Sequence, residues 1–564
     1  MKPTGSELAA VEITSPFTGP AGTAWHWYKT PAIAAAGRAF AGSRLLHGRD
    51  LANHLLKAHH EGQLMTALAD LNGAFAFVIG SSDGPVVAGT DRLRSIPLFY
   101  TWDSDGHPRV AADPRQLRLE PIEPDGADAA CFLRCGYTFG PHTLHPEVCQ
   151  VRPGTFVSFG TGRALVEQRY HRHLRCLPPS GTGAAQDRSF DRLDEISTTV
   201  GRRLVEVLDG RQALVPLSGG YDSRYVVSML AEHGYDNVQL LTYGTPTGIE
   251  ARIASQVAEA FGYPWEFVDY TAPGELARFV RSEAFGRYWA GAGGLSSLPH
   301  IQEPYALAEL RRRGLVADDA VAVPGFCGDL LGGSFLPTAV LTNRVDELLQ
   351  VGLAGHLEKR LLYLANPLDP QQWDGLHRRL GESMAGHHHP RSIEEFVSEA
   401  NAWIVEHRVA RYVINALRAY EAAGIDWYTP LWDTALTDFW YEVPVADLVA
   451  KKLYNGYLLD RRFPRQNVAI HQYPSYWSSR WFRQVRGLVP RAAIAPLWRL
   501  RDRITGTRRF DVNAFGPIAE WGNEPLGAAA PPYAGNISAV LVNRYLHDVS
   551  PGLAGAAGTG DGSD

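Results

Sequence analysis

The hexapeptide Ser218-Gly219-Gly220-Tyr221-Asp222-Ser223 gathers two hydroxyls, two glycines and a carboxylate in one short stretch. Adjacent glycines let a backbone approach an anion with no Cβ in the way. The apolar run at residues 213–217 reads as a strand, and residues 223–233 have helical spacing stopped by Gly234, so the hexapeptide is expected to turn from a strand into a helix. Backbone N–H groups and a helix N-terminus favour negative charge at such a turn. Ser218 and Ser223 add hydroxyl donors at its two ends. A carboxylate in an anion site, here Asp222, calls for a cation between the two charges, and magnesium on a pyrophosphate is the natural one. A bare glycine pair would be an ordinary turn; here Ser, Gly, Gly, Asp and Ser all fall where an anion site needs them.

Alternating strands and helices position this loop. Residues 238–243 read as the next strand and 249–261 as the next helix, ended by Gly262. That β-α-β-α order predicts an α/β fold with a parallel sheet flanked by helices. Upstream, to about residue 177, the chain reads as β-rich: 74–79 and 85–89 as a hairpin across the turn residues 81–84, with further strands at 96–100 and 155–159. The Pro/Ser/Gly stretch at 178–183 reads as a linker, residues 335–545 as mainly helical, and the Gly/Ala/Ser/Asp-rich tail as disordered. The expected domains are 1–177, 185–548 and a tail at 549–564.

Bulk properties exclude several function classes. The chain has 564 residues and a formal net charge of −6, with both signs interspersed, so no nucleic-acid partner is expected. Five cysteines without a paired CxxC argue against a disulfide framework or zinc site, and reduced thiols fit a cytoplasmic location. No secretory signal and no apolar run of membrane-spanning length is visible, so no membrane association is expected. His387-His388-His389 reads as a solvated loop rather than a metal site, and Arg224 and Arg252 read as exposed helix arginines, with added positive potential near phosphates as the alternative.

The hexapeptide resembles the pyrophosphate loop of the ATP pyrophosphatases, a group that includes asparagine synthetases, GMP synthetases and tRNA-modifying enzymes. Leu71-Asn72-Gly73-Ala74-Phe75-Ala76-Phe77-Val78, then residues 91–100 and Pro153-Gly154-Thr155-Phe156, resemble the glutaminase (Ntn-type, αββα) domain of the glutamine-dependent asparagine synthetases. Pro430-Leu431-Trp432-Asp433 with Val443-Pro444 resembles a segment of their synthetase half. The resemblance covers most of the chain in the family's order. It implies an ATP-pyrophosphatase domain with ATP and Mg2+ as cofactors.

Further residues acquire roles only through this resemblance. Pro324-Gly325-Phe326-Cys327-Gly328-Asp329 stands where the family carries an acidic Ser-Gly-Glu-Gly-Ser-Asp-Glu stretch, and Asp329 is expected to hold metal with Asp222. Cys327 replaces a family serine and is not expected to act as a nucleophile. Lys452 matches a phosphate-neutralising lysine, with Lys451 beside it as the alternative, while a later family lysine finds no counterpart at residues 467–473. Tyr243 and Gly244 fall where the family reads adenine, and Glu250 matches an acidic position that a helix N-terminus would equally favour.

Glutamine-hydrolysing members place a nucleophilic cysteine directly after the initiator methionine, where this chain has Lys2. The first domain is therefore expected to be a degenerate relic without glutaminase activity. The expected activity is adenylation of a small-molecule or peptide carboxylate, followed by transfer to an amine or to ammonia, the latter possibly supplied by a partner protein. β-Lactam synthetases and lasso peptide cyclases resemble this chain in having a glutaminase-like domain without the cysteine. The alternatives are asparagine synthesis and, from other classes, a tRNA-modifying pyrophosphatase or a non-catalytic relic.

Overall fold

The computed structural model describes residues 26–80, 85–117, 124–176, 186–337, 340, 345–364, 366–471 and 537–549. The turn at 81–84, the linker at 178–183 and the tail from 552 lie outside the described residues.

The first half is built on an antiparallel sheet. Its strands run in the order Tyr28–Lys29, Ile33–Ala41, Leu71–Ile79, Val86–Thr90, Thr155–Phe159, Leu165–Arg169, with Arg44–His47 folded back on Ile33–Ala41. The two longest strands pair from Ile33↔Ile79 to Ala41↔Leu71. The two-residue period of a strand sorts their side chains. Ile33, Ala35, Ala39, Phe75 and Phe77 pack on Leu51, Leu55, Leu64 and Leu68, carried by the helices Gly48–His60 and Leu64–Asp70. Ala34, Ala36, Phe40, Ala76 and Val78 join the main core on the other face. Both faces are covered, which is why these strands read as continuous apolar runs rather than alternating ones.

A second sheet, Pro108–Ala111, Phe99–Trp102, Cys149–Gln150, lies against the first, with the Tyr100 ring 5.3 Å from that of Phe159. The strand expected from residue 96 begins only at Phe99. The Asp91 carboxylate accounts for the delay: it accepts from the N–H groups of Phe75, Leu93 and Ser95 and from the Ser95 hydroxyl, at 2.8–3.2 Å. These bonds hold the chain in a turn in which Arg94 is left-handed, with φ 54°.

The second half contains the expected parallel sheet, in the order Trp265–Asp269, Val238–Gly244, Ala213–Pro216, Val321–Ala322, Asp426–Trp427. Read in chain order, this is 3-2-1-4-5. The direction of winding reverses between the Ala213–Pro216 and Val321–Ala322 strands, and a crevice opens at the carboxyl ends of strands at such a reversal. The helix Gln186–Leu208 precedes the sheet, Tyr221–Glu232 and Ile249–Phe261 cross over between strands, and further helices follow Asp426–Trp427. Among the described residues no helix is long and apolar enough to cross a membrane.

The two halves are joined by buried polar contacts. Asp426 pairs with Arg38 of the antiparallel sheet and, at 2.9 Å, with Arg211. Asp433 accepts from Asn72 at 2.9 Å and from Arg203 at 2.7 Å. Two segments singled out separately in the sequence, around Asn72 and Asp433, thus meet at one interface. The helix Ile537–Val549 returns to the first half, where Tyr545 stacks on Phe132 of the helix Gly126–Cys135 with ring centroids 5.4 Å apart.

Candidate functional site

Residues 217–220 leave the carboxyl end of Ala213–Pro216, and the helix Tyr221–Glu232 begins at once, with Gly220 as its N-cap and no capping side chain. The N–H groups of the first turn are therefore directed outward. The Ser218 N–H donates to Ser223 Oγ at 3.1 Å, the Gly220 N–H donates to Ser218 Oγ at 3.2 Å, and the two hydroxyls lie 3.2 Å apart. This is the strand–turn–helix junction the sequence predicts.

The neighbouring strand brings the second motif alongside. A Cβ on Gly325 would lie 2.5 Å from the Ser223 nitrogen, and one on Gly328 would lie 2.7 Å from Tyr454 Oη and 3.2 Å from Asp222 Cγ. Only glycine allows the two loops this close. The approach delivers the Asp329 N–H to Asp222 Oδ2 at 3.0 Å, while Tyr454 Oη donates to Asp222 Oδ1 at 2.6 Å. Burial, with Asp329 beside it, pushes the Asp222 carboxyl up to about 7. Two carboxylates compressed in this way favour a positive charge between them, and hard oxygen donors suit magnesium, which takes one or two carboxylates and completes its shell with phosphate oxygens and water. Asp222 and Asp329 fit that role.

Together these loops border a cavity of about 460 Å³. Ser218, Gly220, Asp222, Ser223, Tyr243 and Asp329 line it, whereas Gly219 and Gly244 do not. Gly219 is backed by Glu250 in the first turn of Ile249–Phe261, whose Cα would lie 3.1 Å from a Cβ on that glycine. Cys327, with φ 62°, has its thiol pushed well above the usual range by burial and by the Asp329 and Asp222 charges, so it carries no thiolate.

The lysine assignment needs correction. Lys452 turns away from the cavity, 66% exposed, with Nζ 3.2 Å from Asp447. Lys451 lines the cavity, 30% exposed, with Nζ 3.6 Å from Asp329. Ala450 and Lys451 are both left-handed, with φ 56° and 57°. That kink changes which of the two lysines faces inward.

Arg224 also departs from expectation. It is fully buried rather than exposed, and donates to the carbonyls of Val468 at 2.9 Å, Ile470 at 2.6 Å and Gly219 at 3.3 Å, sandwiched by the rings of Tyr221 and Phe463. It ties the loop to residues 463–470 rather than facing a phosphate. Arg252 is exposed. His387 is not solvated: its side chain is buried against Glu399 at 2.7 Å and Arg172 at 3.2 Å.

Sequence reasoning missed two further lining residues, Glu303 and Tyr454. Glu303 immediately precedes the helix Pro304–Arg312, where an acid is an ordinary neighbour of a helix N-terminus, and Tyr454 carries no motif at all.

A strand–turn–helix junction, two neighbouring aspartates and a lysine thus border one cavity, in a parallel-sheet domain that follows an antiparallel one. Residues 49–171 match the glutamine amidotransferase domain, and residues 194–458 match asparagine synthase. The chain belongs to the asparagine synthetase family, and its second half is a ligase domain that forms C–N bonds. A comparison with curated proteins finds no match.

Proposed function

We propose that the chain adenylates a substrate carboxylate with ATP, releasing pyrophosphate, and then passes the acyl group to an amine, releasing AMP. The observation carrying this reading is that Ser218, Asp222, Ser223, Asp329 and Lys451 converge on one cavity at the reversal point of the sheet. Magnesium, held by Asp222 and Asp329, would neutralise charge on the triphosphate. The outward N–H groups of residues 221–223 and the two serine hydroxyls bind and orient the phosphates, and Lys451 offsets charge gathering on the departing pyrophosphate. In-line attack of a carboxylate on the α-phosphate needs this positioning and charge compensation more than covalent help.

The first domain supports a reading without glutamine hydrolysis. None of its four cysteines stands at position 2, where Lys2 replaces the family's nucleophile: Cys131 and Cys135 are fully buried, with burial pushing the Cys135 thiol up to about 12 and the Cys131 thiol well above its ordinary value, burial also raises the half-buried Cys149, and Cys176 is exposed. The amine would then be a substrate in its own right, or ammonia from a partner protein. All five cysteines are free, which suits a reducing cytoplasm. This favours a specialised amide ligase over asparagine synthesis from glutamine.

The test is to incubate the protein with MgATP, a panel of carboxylates and ammonium, a primary amine or glutamine, and to measure AMP and pyrophosphate. Stoichiometric release of both with at least one carboxylate supports the proposal. ADP and phosphate instead would refute adenylation, and glutamine-dependent glutamate production would refute the reading of the first domain.

A further inference from the structure

Among the described residues, Glu303 is the one acidic group on the cavity that belongs to neither the phosphate loop nor the facing motif. It is 4% exposed. A buried carboxylate loses several kcal/mol of hydration, roughly, unless the fold or a ligand answers its charge. It precedes the helix Pro304–Arg312 yet makes no side-chain cap to it. The carboxylate instead accepts from Tyr243 Oη at 3.0 Å and from His300 Nδ1 at 2.7 Å. Burial alone would raise its pKa, but His300 and Tyr243 outweigh that and hold it below the usual carboxylate value, so it is ionised at neutral pH.

Its surroundings are aromatic. Tyr270 stacks on Tyr243 at 5.3 Å, the His300 ring lies 6.3 Å from Tyr412, and the Glu303 charge pushes up the hydroxyls of Tyr243, Tyr270, Tyr288 and Tyr420 after burial itself. His300 is its only ion-pair partner among the described residues. A carboxylate offers about four acceptor positions, and Tyr243, His300 and the Glu303 backbone N–H use three of them. An ionised carboxylate on a cavity wall, backed by tyrosine rings, repels a triphosphate and attracts a cation bearing N–H groups.

We propose that Glu303, with Tyr243 beside it, forms the subsite for the amine substrate and takes that amine as a primary ammonium cation. This rests on the reading of the cavity as a ligase site and narrows it: the acyl acceptor is ammonia or a primary alkylamine, which binds as its cation and attacks as the free amine after passing a proton to water, and not a nitrogen compound that is anionic or unprotonated at neutral pH. Glu303 thereby separates the two charges that the site must admit, the triphosphate at the loop and the cation at the Tyr243 side.

The test is calorimetric titration of full-length protein, saturated with magnesium and α,β-methylene-ATP, using methylammonium chloride as probe. The nucleotide analogue is titrated first on its own; failure of wild-type protein to bind it counts against the ligase reading and is seen separately. Saturable methylammonium binding that weakens about 10- to 100-fold in Glu303→Gln, the scale of one lost charged hydrogen bond, supports the subsite. Tetramethylammonium, which has no N–H, should bind at least about tenfold more weakly for the same reason. Analogue affinity in Glu303→Gln should stay within about threefold of wild type, as expected for a group that does not touch the nucleotide. Three results overturn the proposal: no saturable methylammonium binding to wild type, equal binding to Glu303→Gln, or a loss of analogue affinity in Glu303→Gln large enough to assign the carboxylate to the nucleotide. Should Glu303→Gln fail to fold, Glu303→Asp serves instead. It keeps the charge and draws it back by one methylene, so methylammonium binding should weaken about tenfold, and unchanged affinity would overturn the assignment.

Discussion

Replacing Lys451 by methionine removes a cation whose Nζ sits 3.6 Å from the Asp329 carboxylate while preserving most of the side chain's length. A unit charge about 4 Å from charge developing on a phosphate contributes about 4 kcal/mol at the effective dielectric of a partly buried site. That is about a thousandfold in rate, and some screening through the open side of the cavity brings the expectation to about 10²- to 10³-fold. Lys452→Met is the internal control. Its ammonium is mostly solvent-exposed and paired with Asp447 at 3.2 Å, an arrangement contributing about 0–1 kcal/mol to stability and nothing to the cavity. Carboxylate-dependent pyrophosphate release should therefore fall steeply in the first variant and by less than about threefold in the second, with thermal melts showing both folded. Equal losses, or a larger loss in Lys452→Met, would refute the argument that the left-handed pair Ala450 and Lys451 decides which lysine faces the phosphates.

Three further outcomes are expected. Asp222→Ala should slow pyrophosphate release by about 10²- to 10³-fold in the same assay, and weaken the dependence of rate on magnesium. Asp426→Ala leaves Arg38 and Arg211 without their shared carboxylate between the halves, and should lower stability by about 3–5 kcal/mol in urea titrations, whereas Arg44→Ala at the exposed Arg44–Asp50 pair should change it by less than about 1 kcal/mol. His173 is buried between Tyr441 Oη and the Arg92 carbonyl, and burial lowers its pKa to about 4. Its unfolded form takes up a proton near 6.5 while the folded form does not, so stability should fall as pH drops from about 6.5 towards 4, by about 2 kcal/mol at pH 5 from this residue; His173→Asn should flatten that slope in urea titrations at pH 5 and 7.5.

The parts of this architecture that repeat a local rule were readable without coordinates. Residues 213–261 announce themselves through apolar strand runs, a glycine turn and glycine helix stops, and the helix Ile249–Phe261 has the bounds expected. What could not be read depends on contacts distant in sequence or on unusual backbone. Arg224 has the spacing of an exposed helix residue, and only the carbonyls of Val468 and Ile470 show why it is buried. Adjacent lysines cannot be ranked by periodicity when the backbone between them leaves the helical region. The role of Glu303 arises from Tyr243, sixty positions earlier in the chain, and His387 is buried by Glu399 and Arg172 across the domain junction. The start of the Phe99–Trp102 strand was misjudged because the Asp91 turn competes with strand pairing, a competition apparent only once its four donors are seen together.

The closing helix Ile537–Val549 bears on how the molecule is made. During synthesis the segment around Gly126–Cys135 leaves the ribosome some four hundred residues before its partner exists, so Phe132 must wait for Tyr545 until those residues have been translated. At about 5–20 residues per second, that wait lasts tens of seconds. The first half thus spends its early life with one apolar face open, and shortened versions lacking the closing helix would keep that face open permanently.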